Sequence, residues 1–552
     1  INESHAVPVV SISGDGIETL LNGTQNEPIG ALEFFDRSGV MQSEVTGDFN
    51  KHGNDSWAYD QRGFDFKARD QFGYNNAIHH QIFAGKTRDE YQKLIVKAAA
   101  NDNYSFETGG AHVRDAYVHT ISQLGELRVD ERTSAFCILY KNGSYWGVYD
   151  IREKVDDHDF TSYYYDQNEF NMDFLKTWGG TWAEYGDRTD WDDLVAYINA
   201  NDVTDPVVYQ AIKSRYNVGS LIDYVVLNSY IVSADWLNWN TAWWRGKNID
   251  GDKKKYRYVL WDMDASFDHY INFTGIDDQS ANADPCNPES LAGGSDPEGH
   301  IGILNKLNQN ETFKQEYISR YIDLSNDILS CEQMQFVLDS MIAVIQPEMQ
   351  AQTNLWGGSV AGWEANVQQM KSFIDDRCIA ISEGLKDCYD LTGPFDITVD
   401  VQPVGSGDVK VNSLELSNYI WSGSYYGGIQ NLFKAIPAAG YVFDYWELTN
   451  HTILPDATSD TAYIEDLTQN EQIIAHFRLL DEEPTDPPIV YSGLSGVTVG
   501  NLTALNISLL NLTVNFSPPL PGIPVLATGL SFVISGIIIL LDFIKKSSKF
   551  LP

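Results

Sequence analysis

The run Leu221-Ile222-Asp223-Tyr224-Val225-Val226-Leu227-Asn228-Ser229-Tyr230-Ile231 carries apolar side chains all round rather than along one stripe. A helix of that kind has no face to give to water, so it belongs in the interior of a large domain. At 552 residues the chain has room for such a domain and for about two or three more. Hydrophobic residues make up 43% and aromatic residues 12%, which excludes a disordered acidic tail. Lys plus Arg number 37 against 77 Asp plus Glu, giving a formal charge of −40. Such a surface repels phosphate backbones, and nucleic acid is excluded as a partner.

The buried run leads into Ser233-Ala234-Asp235-Trp236-Leu237-Asn238-Trp239-Asn240, then into a strand-like Thr241-Ala242-Trp243-Trp244-Arg245. A turn with Asp250 and Asp252 follows, then Tyr256-Arg257-Tyr258-Val259-Leu260-Trp261-Asp262-Met263-Asp264. The order is helix, loop with D-x-x-x-x-N, strand, hairpin turn, strand and acidic end. Kinase-type phosphoryl transfer uses that order: an Asp near the acceptor hydroxyl, an Asn five residues later on a metal, and a second Asp after a hairpin. Carboxylates converging on one site call for a divalent cation, and oxygen ligands suit Mg²⁺ or Mn²⁺. Asp262 and Asp264 are two apart, so an extended chain would turn both to one ion.

Further pieces occur in order: Pro8-Val9-Val10-Ser11-Ile12, Leu32-Glu33-Phe34-Phe35, His52-Gly53-Asn54-Asp55-Ser56, Arg114-Asp115, and Asn142 to Glu153. Together with Asp-Trp-x-x-x-Asn, Trp-Arg and Leu-Trp-Asp-x-Asp-x-x-Phe, they make residues 5–390 resemble the CotH (spore-coat protein H) kinase family. The resemblance implies an α+β fold with an atypical protein-kinase-like domain. It also implies a secreted or cell-surface enzyme that uses ATP and Mg²⁺ or Mn²⁺ to phosphorylate Ser or Thr of a protein substrate. Position by position, Asp235 matches the catalytic Asp, Asn240 and Asp262 the metal ligands with Asp264 as neighbour, and the turn from Gly53 to Ser56 the segment over the phosphates. Glu153 matches a Glu expected near the nucleotide. The family's Lys is expected in the strand after the glycine turn; Arg62 stands there and Lys67 follows five residues on. Either one takes the phosphates, or phosphate binding is weakened and the fold serves as a non-catalytic surface, adhesion or matrix module.

Plainer readings stand beside these. Asp235 can cap a helix and Asn240 can shape a turn, while Asp262 and Asp264 can hold structural calcium or form a solvated strand end. Arg114 and Asp115 read equally as an ordinary ion pair, and Glu153 as a solvated helix start. His79, His80 and His158 lack partners at metal spacing and read as surface residues. The Trp-rich stretch from Trp236 to Trp244 suits core packing better than carbohydrate stacking. A glycosidase ranks last, because no pair of carboxyls flanking a cleft stands out.

From Gly393 the pattern turns to alternation and turns: Asp396-Ile397-Thr398-Val399-Asp400-Val401, then Gly405-Ser406-Gly407-Asp408, then Val409-Lys410-Val411. With Ala438-Ala439-Gly440-Tyr441-Val442-Phe443-Asp444-Tyr445-Trp446 and Ala475-His476-Phe477, this stretch resembles a small all-β bacterial repeat domain of surface proteins, suited to spacing or adhesion. The expected divisions are therefore 1–390 for the kinase-like domain, 393–479 for the β domain, 480–488 for an acidic linker with prolines, and 489–552 for a C-terminal segment. Within the last, 523–544 is apolar and followed by Lys545, Lys546 and Lys549, the pattern of a membrane-spanning or sorting stretch, with a packed C-terminal end as the alternative. Of five cysteines, Cys378 with Cys388 and Cys286 with Cys331 suggest two loops if oxidised; the alternative is five thiols, with Cys137 in the core either way.

Overall fold

The computed structural model describes residues 4–73, 75–484, 507–509 and 512–514. Seven strands close into a barrel: β1 (Val9–Ser13), β2 (Ile29–Phe35), β3 (Met41–His52), β4 (Gly63–Ala68), β5 (Lys93–Lys97), β6 (Ser134–Lys141) and β7 (Ser144–Glu153). The spatial order is β1-β2-β3-β4-β5-β7-β6, and the barrel closes through a parallel β6–β1 pair with Val9 opposite Ile138. Alternation decides which side chains fill it. In β4, Phe64, Phe66 and Ala68 are buried inside while Asp65 and Lys67 face outward.

Between β5 and β6 runs helix α1 (Arg114–Leu124). A second, four-stranded sheet follows in the order β9-β8-β10-β11, built from β8 (Met172–Thr177), β9 (Thr181–Tyr185), β10 (Thr241–Gly246) and β11 (Arg257–Val259). The expected buried helix is α2 (Val218–Tyr230), capped by Asn217 and buried at all thirteen residues. Its one charged residue, Asp223, is fully buried and neutralised by Arg128 at 2.9 Å and Arg320 at 2.9 Å. The long helices α3 (Glu311–Asn326), α4 (Cys331–Ile345) and α5 (Val360–Tyr389) follow it; α3 reaches it through Arg320, and α5 through Arg377, which donates to the Tyr230 carbonyl at 2.9 Å. Trp236, Trp243 and Trp244 are buried in the core.

The cysteine pairing differs from the expected one. Cys286 bonds Cys388 and Cys331 bonds Cys378, with Cys137 free in the barrel core. Cys378 and Cys388 both lie on α5, where ten residues at about 1.5 Å rise put them some 15 Å apart, beyond the roughly 7 Å limit for a bridge.

The β domain is a pair of four-stranded sheets running from Thr392 to Leu479, with Ile397, Val399 and Val401 turned inward as their alternation predicts. It is docked rather than tethered. Asp323 of α3 accepts hydrogen bonds from the Ser413 amide (2.7 Å) and hydroxyl (2.5 Å), Asn412 (3.2 Å) and the Tyr425 hydroxyl (3.2 Å). Residues 1–490 form one compact body. In the second body, 491–552, Ile507–Leu509 pairs antiparallel with Leu512–Val514. The apolar stretch 523–544 and residues 485–488 of the expected linker lie outside the described residues. Among the described residues no single helix is long and apolar enough to cross a membrane.

Candidate active site

Between the barrel and the second sheet lies a cavity of about 500 Å³. Its roof is the turn after β3. Gly53 sits at φ +89°, where a Cβ would meet the Ser56 hydroxyl oxygen at 2.4 Å, so only glycine lets the chain fold back over the opening. Gly53 and Ser56 both line the cavity.

The floor comes from the loop between α2 and β10. Val232, Leu237 and Asn240 adopt positive φ (52°, 66° and 33°), a concentration of backbone strain in non-glycine residues. The loop is pinned from outside: the Ala234 amide donates to the Ala265 carbonyl (2.9 Å), the Trp236 amide to the Thr274 hydroxyl (2.8 Å), and the Leu237 amide to the Thr241 hydroxyl (2.7 Å). This holds Asp235 and Asn240 at the cavity, with the Asn240 amide donating to Asp235 Oδ2 at 2.7 Å. Asp235 Oδ1 is buried with no protein partner. Burial, then the charges of Asp262 and Asp55, push the Asp235 carboxyl up to about 7 against the opposing Asn240 hydrogen bond.

Asp262 lines the same cavity. Lys97, the last residue of β5, is buried and holds it: Nζ lies 2.5 Å from Asp262 Oδ1 and 2.6 Å from Asp115 Oδ2. Asp115 is a hub. It also takes Arg152 of β7 at 2.6 Å and the Met263 amide at 2.9 Å, which ties α1, two barrel strands and the acidic segment together. Burial opposes its ionisation, but Lys97, Arg152 and His119 hold the Asp115 carboxyl well below the usual range. Burial likewise opposes the charge on Lys97, and Asp115, Asp262 and Asp264 together raise its pKa.

Asp235, Asn240, Asp262, Gly53 and Ser56 therefore converge on one cavity; four other expected residues do not reach it. Arg62 is turned beneath the roof, donating to the carbonyls of Trp57 and Leu21 at 2.8 Å each. Lys67 faces out of the barrel into a neighbouring cavity of about 250 Å³, as the alternation of β4 requires. Glu153 is fully buried, in an ion pair with Arg88 (3.2 Å) and accepting from the Tyr164 hydroxyl (2.9 Å). Asp264 is buried and accepts from the Asn101 amide (2.9 Å); burial and the Asp262 charge push its carboxyl well up. The period-two argument for Asp262 and Asp264 fails because β11 ends at Val259 and the chain beyond is not extended strand.

No motif marks Lys97 in the sequence, although Lys93-Leu94-Ile95-Val96-Lys97 reads as a buried strand ending in a cation. The far wall likewise carries no sequence motif. Arg132 is 2% exposed, its guanidinium 4.0 Å from the Trp261 ring centroid, its Nε without a partner. Lys176 lies 4.4 Å from the same ring and 2.9 Å from Asp156, and Lys154 lies alongside. Five cations (Lys51, Lys97, Arg132, Lys154 and Lys176) and four carboxylates (Asp55, Asp156, Asp235 and Asp262) line the cavity, which makes it far less negative than the chain of −40 as a whole. The donor set at Asp235, Asn240 and Asp262 is oxygen-rich and contains a buried, unpartnered carboxylate oxygen, so it fits a hard divalent cation.

Comparison with known families gives two matches. Residues 49–380 match the family model described as CotH kinase protein, and residues 397–480 match the divergent InlB B-repeat domain. No curated protein matches the chain.

Proposed function

The chain belongs to the CotH kinase family, and on that premise we propose that it is an atypical protein kinase that transfers the γ-phosphoryl group of ATP to Ser or Thr of a protein substrate. The observation that carries this reading is the convergence of Asp235, Asn240, Asp262 and Lys97 on one cavity roofed by the Gly53–Ser56 turn. The element order supports a kinase-like fold: glycine turn, strand with a terminal Lys, helix with the carboxylate that pairs it, buried helix, catalytic loop, hairpin, acidic end.

Asn240 and Asp262 are the residues to hold the metal. Bound Mg²⁺ or Mn²⁺ supplies neutralisation of the phosphate oxygens. Lys97 fixes Asp262 and adds its own charge beside the phosphates, with Arg132, Lys154 and Lys176 supplying further positive potential along the far wall. Asp235 orients the acceptor hydroxyl and takes its proton as oxygen bonds to the γ-phosphorus, the bond to the β-phosphate oxygen breaks, and ADP leaves. Burial, the largest cause of the raised Asp235 pKa, makes that carboxylate a stronger base than an exposed one. The rate gain comes from positioning and charge complementarity.

Two disulfides favour an oxidising compartment, which supports secretion or display at the cell surface, with 489–552 proposed as the attachment segment. The non-catalytic reading drew on Arg62 standing where a Lys was expected. Lys97, paired with Asp115 and Asp262 at the cavity, supports the catalytic reading on that point. The deciding experiment is phosphate incorporation from labelled ATP with Mg²⁺ or Mn²⁺, comparing wild type with Asp235→Ala and Asp262→Ala; equal incorporation by all three overturns the assignment.

A further inference from the structure

A second group of metal-type donors lies outside the active cavity, where the chain leaves the barrel. After β7 the chain passes through Asp157 into a helix, His158–Tyr165. One ligand atom each from Asp157, His158 and Asp159 lies within 4.8 Å of the other two. Glu169 Oε2 is 3.3 Å from His158 Nδ1, and Asp159 Oδ1 is also 3.3 Å from it. The ordinary use of such an Asp at a helix start is to cap the first amides. Asp157 does not: its side chain makes no capping hydrogen bond. It is 2% exposed, its Oδ1 is taken by Lys93 at 2.6 Å, and its Oδ2 is buried with no partner. Asp159 Oδ2 is also buried without a partner. Three carboxylates and one imidazole thus have one ammonium in direct contact, Lys93, with Arg88 and Lys67 acting from farther off, and two desolvated oxygens stay unsatisfied, a state that a bound cation relieves.

We propose that Asp157, His158 and Asp159, with Glu169 beside them, form a second divalent-cation site, chemically distinct from the oxygen-only set at Asp235, Asn240 and Asp262. An imidazole among carboxylates selects a borderline metal of the Zn²⁺ kind over Mg²⁺. The site stands where the barrel meets the second sheet, and Asp157 lines the neighbouring cavity of about 250 Å³ rather than the active one. Asp157 reaches back to Lys93 of β5, and the His158 ring packs edge-on against Tyr185 of β9 with centroids 6.0 Å apart. A metal there ties the barrel to the second sheet, whereas His158 read from sequence was a lone surface histidine.

The test uses the full chain carrying Asp262→Asn, which removes a ligand of the proposed catalytic metal. Equilibrium dialysis against Zn²⁺ is expected to find one bound equivalent, and Co²⁺ is expected to give a visible absorption band that Zn²⁺ abolishes. Adding His158→Asn or Asp159→Asn is expected to weaken Zn²⁺ at least tenfold and remove the band. Should either addition unfold the chain, the Asp262→Asn protein alone decides: a Zn²⁺-displaceable Co²⁺ band supports the site, and its absence overturns it. Retention of the Zn²⁺ equivalent in folded His158→Asn or Asp159→Asn protein also overturns it.

Discussion

Replacing Lys97 by Met tests the site where structure and chemistry are most tightly joined. The ammonium lies 2.6 Å from Asp115 and 2.5 Å from Asp262 in a buried setting. At an effective dielectric of about 20, each contact is worth roughly 6 kcal/mol of attraction before the desolvation of the lysine is counted. Removing one member of a buried pair typically costs about 3–5 kcal/mol. Here the loss should fall at about 3 kcal/mol, because Asp115 keeps Arg152 at 2.6 Å. Activity suffers separately. Asp262 loses its tether and the phosphates lose a cation, and removal of one preorganised charge typically costs about 10²–10³ in rate, or roughly 3–4 kcal/mol. The assays are labelled-phosphate incorporation and urea unfolding. Arg is not expected to rescue, since its planar fork cannot occupy the two-carboxylate slot of a point charge. Lys97→Met protein with activity within threefold of wild type and an unchanged unfolding midpoint would refute the reasoning.

Asp235→Asn is expected to lower transfer by about 10²–10⁴ and yet, in metal-free buffer, to unfold no earlier than wild type, because it removes a buried charge with an unpartnered oxygen; early unfolding speaks against that geometry. Gly53→Ala should weaken the thermal shift given by ATP with Mg²⁺, through a strain of about 1–3 kcal/mol, and adding Ser56→Ala should restore part of it by removing the 2.4 Å clash; no restoration means the roof is not packed as described. Burial pushes Asp323 up to about 6 against its hydrogen bonds from Ser413 and Asn412, above an unfolded value of about 3.9. The folded state then holds the proton more tightly, so this group's contribution is full below about pH 4 and is lost as pH rises to about 6, by about 3 kcal/mol. Stability of Asp323→Asn protein should lack that slope, and parallel curves for the two proteins contradict it. Reduction of the Cys286–Cys388 bridge, which closes a separation of 102 residues, should cost on the order of 4 kcal/mol, and a melting temperature indifferent to reductant argues against the pairing.

What could be read from the chain depended on how far apart the interacting residues stand. The buried helix, the Asp235–Asn240 loop, the hairpin and Asp262 form a continuous stretch with local signals of period, turn and charge, and these bring three proposed site residues to one cavity. Lys97 pairs with Asp115 and with Asp262, 165 residues away, and no local pattern records a pairing that barrel closure creates. The strand directly after the glycine turn, β4, turns Lys67 away from the site, and the cation that reaches it comes only at the end of β5, after two short two-residue strands. Glu153 was read as exposed or near nucleotide because Arg88, its partner, lies 65 residues upstream. Four cysteines allow three pairings, and only the placement of two of them on one straight helix removes the expected one.

The docking of the β domain bears on where the chain can be divided. The two family matches leave residues 381–396 between them, the natural place for a protein engineer to cut. A chain ended there strips Asp323 of Asn412, Ser413 and Tyr425, and leaves Arg320 without the Ser413 hydroxyl it reaches at 3.0 Å. Arg320 is also a counterion of Asp223, inside the helix that leads to Asp235. A cut between the two family matches is thus a cut through one folding body, and a graft of another repeat domain would have to bring its own Asn, Ser and Tyr to that carboxylate before the kinase half could stand without its original neighbour.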